Sequence, residues 1–344
     1  MRGSLIAFAL LGSGIVAACS TVPITGDPAA EVFAKAETVP VGTTNADAAD
    51  DPAIWRNPAD PGASLIVGTD KKAGLHVYSL DGSQKSFLDA GLLNNVDLVQ
   101  LGDGTILVAA SDRTDPSTAH ILIATLDPAT GVLTETGRYA VGAGEGYGIC
   151  MSAPDAEGRF TVFSPVKEGA LYRSDFAPDQ GSWSTSTVKH HQIASQPEGC
   201  VHDARTNILY VGEEAAGIWA FDLGTGAEPS LVASIDNAQL VADVEGLALA
   251  PEGETGGYLV ASSQGDNAYA VYSLPDVMPV GRFRIAAGPI GAAEETDGIA
   301  LDTGAFGPGY SKGVFVAQDG INGSKAQNFK IVSWGEVKAA LTLP

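Results

Sequence analysis

Oxygen-bearing side chains recur at the starts of short apolar segments, at intervals of roughly 40 to 55 residues. The members are Asp50, Asp51, Asp97, Tyr147, Glu198, Asp243, Glu245 and Asp297. A second set, which follows the next apolar segment of each interval, includes Glu214, Gln264 and Asp319. Carboxylates that converge on one place raise each other's pKa, and divalent cations relieve this repulsion. Because the donors are hard oxygens and no Cys–His cluster supports zinc, the pattern favours Ca²⁺.

Basic side chains follow the second apolar segment in three consecutive intervals: Lys71, Lys72, Arg113 and Lys167. They stand out because the chain has only 19 Lys and Arg against 41 Asp and Glu. If these residues and the carboxylates form two halves of one site, the basic half would bind an anion and the acidic half a metal ion. A polyphosphorylated substrate could then bridge the two halves. The alternative is that these residues only solubilise hairpin loops.

Motifs of other hydrolases are absent from the sequence. A Cys-x5-Arg phosphatase loop fails because Ala156 and Thr206 stand at the sixth position after Cys150 and Cys200. Neither RHGxRxP nor GxSxG occurs. The remaining chemistry is attack on a phosphate by water that a cation has made more acidic, with the cation also offsetting charge on the phosphate oxygens.

Six repeating units must position these residues. Each unit opens with a short strand and continues with a predicted hairpin, and the many Gly and Pro residues bound the strands. The hairpin strands are predicted at 65–69 and 75–80, 106–111 and 121–126, 160–165 and 170–176, 208–212 and 217–222, 258–263 and 268–274, and 313–317 and 329–334. We therefore predict an all-β, six-bladed β-propeller with antiparallel blades of four to five strands. An open sandwich is the alternative.

Propeller topology explains why both sets of polar residues belong to one site. The first two strands of a blade are antiparallel, so the start of the first and the end of the second lie at the same rim. Pseudo-symmetry then brings both sets around the mouth of a central channel. A strand near 37–44 is expected to complete the last blade.

Charge and the N-terminus limit the possible partners and the location. The net charge of −22 makes nucleic acid a poor partner. Residues 1–18 read as a signal peptide that ends before Cys19, which resembles the lipidated residue of a bacterial lipoprotein; the alternative is an ordinary secretory signal. We predict a flexible tether at 19–36, a catalytic domain at 37–344, and an exported, monomeric protein that is membrane-anchored or free in the periplasm or medium.

Two cysteines remain in the mature chain. Cys150 and Cys200 hold matching positions in neighbouring repeats. Since an exported protein matures in an oxidising compartment, a disulfide between them is favoured over two buried free thiols.

Several motifs resemble those of the β-propeller phytases of the bacterial 3-phytase family, in the same order over about residues 37–335. They are DAADDPAIW at 47–55, GTDKKAGLHVYSLDG at 68–82, NNVDLV at 94–99, SQPEGC at 195–200, GEEAAGIW at 212–219, DVEGL at 243–247, ETDGI at 295–299 and VAQDG with QNFKIVSW within 316–334. The resemblance implies a six-bladed propeller that uses several Ca²⁺ ions to hydrolyse phytate, myo-inositol hexakisphosphate.

The resemblance also implies roles for individual residues. Catalytic calcium ligands would be Asp50, Tyr147, Glu198, Glu214, Asp243, Glu245, Gln264 and Asp297. Structural calcium would bind at Asp51 and, in the last blade, at Asp319, Asn322 and Asn328. Phosphate would bind to Lys71, Arg113 and Lys167, with Lys72 beside them, and these three cations with Glu198 form the expected catalytic set. The family has two adjacent phosphate sites, which favours substrates with neighbouring phosphates.

Two departures from the family pattern are visible, in the charge of Asp70 beside the lysines and in the short loop at 319–327. Two other functions remain possible at this point: a calcium propeller that hydrolyses lactones or esters, and a non-catalytic surface propeller that binds a partner. The grouping of four cations in three repeats argues against the lactonase.

Overall fold

The computed structural model of the protein describes residues 24–344, and its strands form six sheets around a central axis. The first three blades contain β3 (Ala49–Trp55), β4 (Leu65–Asp70), β5 (Gly74–Ser79) and β6 (Gln84–Asp89); β7 (Leu93–Gln100), β8 (Ile106–Asp112), β9 (Thr118–Leu126) and β10 (Leu133–Ala143); and β11 (Cys150–Met151), β12 (Phe160–Pro165), β13 (Ala170–Asp179) and β14 (Ser182–Gln192).

The last three blades complete the ring. They contain β15 (Pro197–Asp203), β16 (Ile208–Glu213), β17 (Gly217–Asp222) and β18 (Ser230–Ser234); β19 (Val244–Glu252), β20 (Gly256–Ser263), β21 (Ala268–Leu274), β22 (Met278–Ala286) and β1 (Ala30–Phe33); and β23 (Ile299–Asp302), β24 (Val314–Asp319), β25 (Asn328–Ser333) and β2 (Ala36–Glu37). The predicted six-bladed propeller with four to five strands per blade is confirmed. The added strand β1 differs because it pairs parallel to β22.

The core lies between adjacent blades. Strands such as β4 and β8 are buried along their whole length, as expected for apolar strands that are covered on both faces. Outer strands such as β14 alternate or are mostly exposed. Val77 of the first blade and Val108 of the second belong to one apolar cluster, which shows how neighbouring blades share their cores. This packing fixes the blades radially, with their first strands lining the axis.

The N-terminal segment closes the ring. Ala36 of β2 pairs with Ile331 of β25, and the backbone N–H of Thr38 donates to the carbonyl of Phe329 at 2.9 Å. The predicted completion of the last blade near 37–44 is confirmed, although the strand itself is only two residues long. Closure by a distant part of the chain leaves the last blade with no open edge at β25.

The expectation of a flexible tether at 19–36 is wrong for its C-terminal part. Residues 30–33 form β1, whose Val32 is buried against the edge of the fifth blade. A four-residue edge strand has too few residues for a clear periodic pattern, so the sequence did not reveal it. The predicted signal peptide and Cys19 lie outside the described residues. Within residues 24–344, no helix is long and apolar enough to cross a bilayer.

One α-helix follows the last strand. The sixth hairpin was expected to continue to Trp334, but β25 ends at Ser333 and helix α1 spans Trp334–Ala340. Trp334 and Val337 are buried in the core shared by the fifth and sixth blades. The helix therefore packs on the outside of the ring closure, away from the central channel.

Candidate active site

Register shifts in four inner strands shape one rim of the channel. The pairing of β3, β7, β15 and β19 with their neighbours skips two residues near the start of each strand. The skipped pairs are Asp50 and Asp51, Asn94 and Asn95, Glu198 and Gly199, and Glu245 and Gly246. A bulge places two residues opposite one, so it re-aims side chains that a regular strand would alternate. The bulges turn polar groups toward the rim.

A cavity of about 610 Å³ opens at this rim. Nine of the predicted site residues line it: Asp50, Lys71, Tyr147, Glu198, Glu214, Asp243, Glu245, Gln264 and Asp297. For these nine residues the structure shows the predicted convergence on one mouth. The other lining residues were not among the predicted site residues: Asp47, Gln196, Gly265, Asn267, Glu295 and Gln327.

Three glutamates form a group that can hold a metal ion. One carboxylate oxygen from each of Glu198, Glu214 and Glu245 lies within 4.8 Å of the others. Oxygen Oε2 of Glu245 is buried without a hydrogen-bond partner. A buried, unpaired carboxylate oxygen is costly unless a cation or a donor meets it. The donor chemistry and the orphaned oxygen both fit a hard divalent cation.

Burial and mutual repulsion dominate the electrostatics of this group. Burial, followed by the charge of Asp50, raises the pKa of Glu198 to about 7. Burial and the Glu198 charge raise the pKa of Glu245 well above its usual range, and burial raises that of Asp297. Burial also raises the pKa values of Glu214 and Asp243. In the protein alone, these carboxyl groups resist ionisation, and a cation would reverse that.

Lys71 is the basic residue that reaches into the acidic group. Its ammonium lies 2.9 Å from a carboxylate oxygen of Asp50, 2.9 Å from Asp47 and 3.4 Å from Asp297. Burial by itself lowers the pKa of Lys71, but the surrounding carboxylates outweigh burial and raise it. Lys71 is therefore charged at neutral pH and held within the acidic side of the mouth, rather than projecting into solvent.

The other basic residues gather around Tyr147. The guanidinium of Arg113 lies 5.5 Å from the centre of the Tyr147 ring, and the Lys167 ammonium lies 5.4 Å from it. Arg113 also donates to the side chains of Asn94 and Glu145. None of these three basic residues lines the cavity itself: Arg113 and Lys167 lie against Tyr147, which does line it, whereas Lys72 is exposed. Of the four predicted basic residues, Arg113 and Lys167 thus form a compact pair. Lys71 lies among the carboxylates instead, and Lys72 is exposed to solvent.

Asn94 and Asn95 are the functional candidates that the sequence argument missed. Asn94 donates to Glu198 Oε1 at 2.7 Å and accepts from Arg113. With its amide oriented to donate, Asn95 reaches the same Glu198 oxygen at 3.0 Å. The two amides connect the basic and acidic halves. Their position at the start of a first strand, equivalent to Asp50 and Asp51, is the signal that could have identified them.

Asp51 lies apart from the mouth. Its carboxylate accepts from the backbone N–H of Val96 at 3.0 Å, and burial raises its pKa. It lines a separate cavity of about 540 Å³ along the first strands, together with Asp97, whose pKa burial raises to about 6. The adjacent residues Asp50 and Asp51 therefore point to different compartments, as the bulge between Ala49 and Pro52 allows.

The last-blade residues Asp319, Asn322 and Asn328 also lie away from the mouth. The buried ammonium of Lys330 is 3.0 Å from Asp319 and also pairs with Glu37. Asn328 donates to Glu37, and Asn322 donates to the backbone carbonyl of Ala326. A lysine thus supplies a positive charge between the N-terminal segment and the last blade.

Asp70 now has a structural role. It is fully buried and accepts hydrogen bonds from the backbone N–H groups of Thr43 and Lys72, each at 3.0 Å. Burial works against its ionisation, yet the nearby His76 ring and the two backbone N–H donors lower its pKa. Asp70 therefore shapes the hairpin that carries Lys71 and does not contribute charge to the cavity.

A disulfide joins Cys150 and Cys200, with Cα atoms 5.7 Å apart. It links β11 to β15, the first strands of the third and fourth blades. Cys150 follows Tyr147 by three residues and Cys200 follows Glu198 by two. The cross-link therefore ties together the two strands that place these side chains at the boundary between the basic and acidic halves.

Comparisons with known proteins identify the family of the chain. A family model described as phytase matches residues 4–343. A 3-phytase of Bacillus subtilis (strain 168) is 36% identical over 325 residues, covering 89% of this chain and 84% of that protein. The structure of the GH93 alpha-L-arabinofuranosidase of Fusarium graminearum with arabinobiose has a TM-score of 0.58 and 13% identity, covering 88% of this chain and 98% of that one, a likeness of fold alone. The chain belongs to the phytase family, as a β-propeller phosphoric monoester hydrolase.

Proposed function

We propose that this phytase hydrolyses phytate in a calcium-dependent reaction at the mouth of the channel. The observation that carries the proposal is a carboxylate-lined cavity with a basic pair, Arg113 and Lys167, beside it on the ring of its lining residue Tyr147. Phytate carries several phosphates on one ring, so it can contact both halves at once. The cavity is lined mainly by charged and polar side chains, which gives no support to lactone or ester hydrolysis.

The acidic half is the proposed metal centre. Its ligands would be Asp50, Tyr147, Glu198, Glu214, Asp243, Glu245, Gln264 and Asp297, with further structural ions at Asp51 and at Asp319, Asn322 and Asn328. Calcium suits oxygen donors on irregular backbone, since it accepts variable geometry. When bound, the cation would make a nearby water more acidic and offset charge that develops on phosphate oxygens.

The basic half is the proposed phosphate site. Arg113 presents a planar fork that matches two phosphate oxygens, whereas Lys167 acts as a point charge. Both cations contact the Tyr147 ring, which keeps them together at one side of the cavity. Lys71 would hold the reacting phosphate close to the carboxylates that it already pairs with, and Asn94 keeps Arg113 aligned with Glu198.

Phosphate release from phytate tests the proposal. Metal-stripped protein should release no phosphate, Ca²⁺ should restore release, and Mg²⁺ should restore less because it demands a tighter octahedral shell. Equal activity in excess chelator and in Ca²⁺ would remove the calcium requirement. Methyl butyrate and a simple lactone serve as substrates for the rival activity, and their hydrolysis without phosphate release would overturn the proposal.

We also propose that the protein is exported and that Cys19 carries a lipid. The Cys150–Cys200 disulfide supports an oxidising compartment. Mass spectrometry of the mature N-terminus tests the anchor, because a free N-terminus close to residue 19 without lipid would exclude it. Light scattering of the mature protein tests the proposed monomer.

A further inference from the structure

A buried ion pair stands behind the fifth-blade side of the mouth. The carboxylate of Asp266 accepts from the guanidinium of Arg282 at 2.6 and 2.7 Å, and both side chains are almost fully buried. Residues near the N-terminus complete this pair. The backbone N–H of Gly26 donates to Asp266 at 2.9 Å, and Arg282 donates to the carbonyl of Asp27 at 2.7 Å. The segment expected to be a tether therefore satisfies a buried charge.

The same pair adjoins a proposed metal ligand. Asp266 ends the short 3-10 turn Gln264–Asp266, and it also accepts from Ser263 at the start of that turn. Gln264 donates through its backbone to the carbonyl of Asp243 at 3.0 Å and through its side chain to Asp297. Movement of Asp266 would thus move Gln264 relative to two carboxylates of the mouth.

The contact at Gly26 leaves no space for a side chain. A Cβ atom at this position would lie 2.3 Å from a terminal nitrogen of Arg282 and 2.6 Å from the carbonyl oxygen of Ala238. The next residue, Asp27, donates its N–H to the same Ala238 carbonyl at 2.8 Å. From there the chain continues into β1 along the edge of the fifth blade. The segment is therefore held at both ends, by the contacts of Gly26 and Asp27 and by the pairing of β1.

We propose that residues 26–33, the N-terminal arm, are a positioning element of the active site. Through Asp266 the arm holds the Gln264 turn in the geometry that the mouth requires. This inference rests on the proposed metal role of the mouth. Groups that orient metal ligands from behind typically change metal affinity by about 10- to 100-fold when they are removed. The arm contacts no residue that lines the basic half within the described part of the chain.

Gly26→Val in the full mature chain tests the inference, because it displaces the arm and leaves Asp266 and Arg282 unchanged. Gly309→Val is the matched control, since a Cβ at Gly309 meets no atom within 4 Å. Calorimetric titration of metal-stripped protein with Ca²⁺ should show about tenfold weaker binding for Gly26→Val. The control should bind as the wild type does. Hydrolysis of phytate should need about tenfold more Ca²⁺ and reach a similar maximal rate.

The thermal unfolding of the metal-free proteins separates positioning from stability. A lower unfolding temperature with unchanged calcium affinity would mean that the arm only stabilises the fold, and would overturn the inference. If Gly26→Val does not fold, Gly26→Ala is read by the same two measurements. A wild type that hydrolyses phytate without Ca²⁺ would instead refute the proposed metal role itself, so the two failures are distinguishable.

Discussion

The acidic and basic halves of the mouth differ in how their charged side chains are neutralised. In the acidic half, Glu198, Glu214 and Glu245 face each other with no basic residue among them, and a carboxylate oxygen of Glu245 has no partner. In the basic half, Arg113 is already paired with Glu145 and held by Asn94. The acidic half is therefore incomplete without an external cation, whereas Arg113 in the basic half already has an acidic partner that competes with a bound anion.

Lys71 marks the boundary between these two situations. It comes from the same hairpin position as the other basic residues, yet its ammonium lies among carboxylates of the acidic half. One internal cation cannot neutralise the whole group, as the raised pKa values of Glu198, Glu245 and Asp297 show. We therefore expect substitutions in the acidic half to change calcium affinity and substitutions in the basic half to change the affinity for substrate.

Glu245→Gln should have the largest effect. It removes a proposed ligand, so phosphate release should fall by about 100-fold or more and calcium affinity should fall with it. The metal-free variant should nevertheless unfold at a higher temperature than metal-free wild type, by roughly 1 to 2 kcal/mol in stability, because glutamine removes the cost of burying a carboxyl group that must either take up a proton or repel Glu198. Glu254→Gln, an exposed change in the turn at the opposite end of the same strand, is the control. A less stable metal-free variant would contradict the repulsion argument.

Lys167→Ala should affect substrate binding and spare the metal. Loss of one charge-assisted contact to phosphate corresponds to about 1.5 to 3 kcal/mol, so KM for phytate should rise by about tenfold or more. The calcium titration should match that of wild type, and Lys189→Ala, in an exposed outer strand, should change neither value. Unchanged kinetics would show that the Arg113–Lys167 pair does not hold the substrate.

Glu145→Gln should strengthen binding of anions. Glu145 occupies one edge of the Arg113 guanidinium, and its charge opposes a phosphate at the same group. The amide keeps an acceptor for Arg113 and removes the charge, so competitive inhibition by inorganic phosphate should become about two- to fivefold tighter. Glu228→Gln, remote and exposed, provides the comparison. Weaker inhibition by phosphate would mean that Glu145 mainly orients Arg113.

The repeat pattern was sufficient to predict the propeller, and polar residues at equivalent positions of the repeats indicated nine of the residues that line the mouth. Pairings within the rim were not predictable, because they depend on bulges. A bulge sends Asp50 to the mouth and its neighbour Asp51 to the channel, and periodicity cannot distinguish these two directions. The contacts of Gly26 and Glu145 were missed since both residues meet partners that are distant in sequence or lie on another loop.

Lys72→Ala should have the smallest effect, and its size tests where the basic half ends. Lys72 is exposed and outside the cavity, so solvent and salt screen its charge. KM for phytate should rise by no more than about twofold at low ionic strength, and the difference should vanish at high salt. A tenfold, salt-independent increase would place Lys72 in direct contact with phosphate. The basic half would then extend beyond the Tyr147 ring and include the whole hairpin that Asp70 shapes.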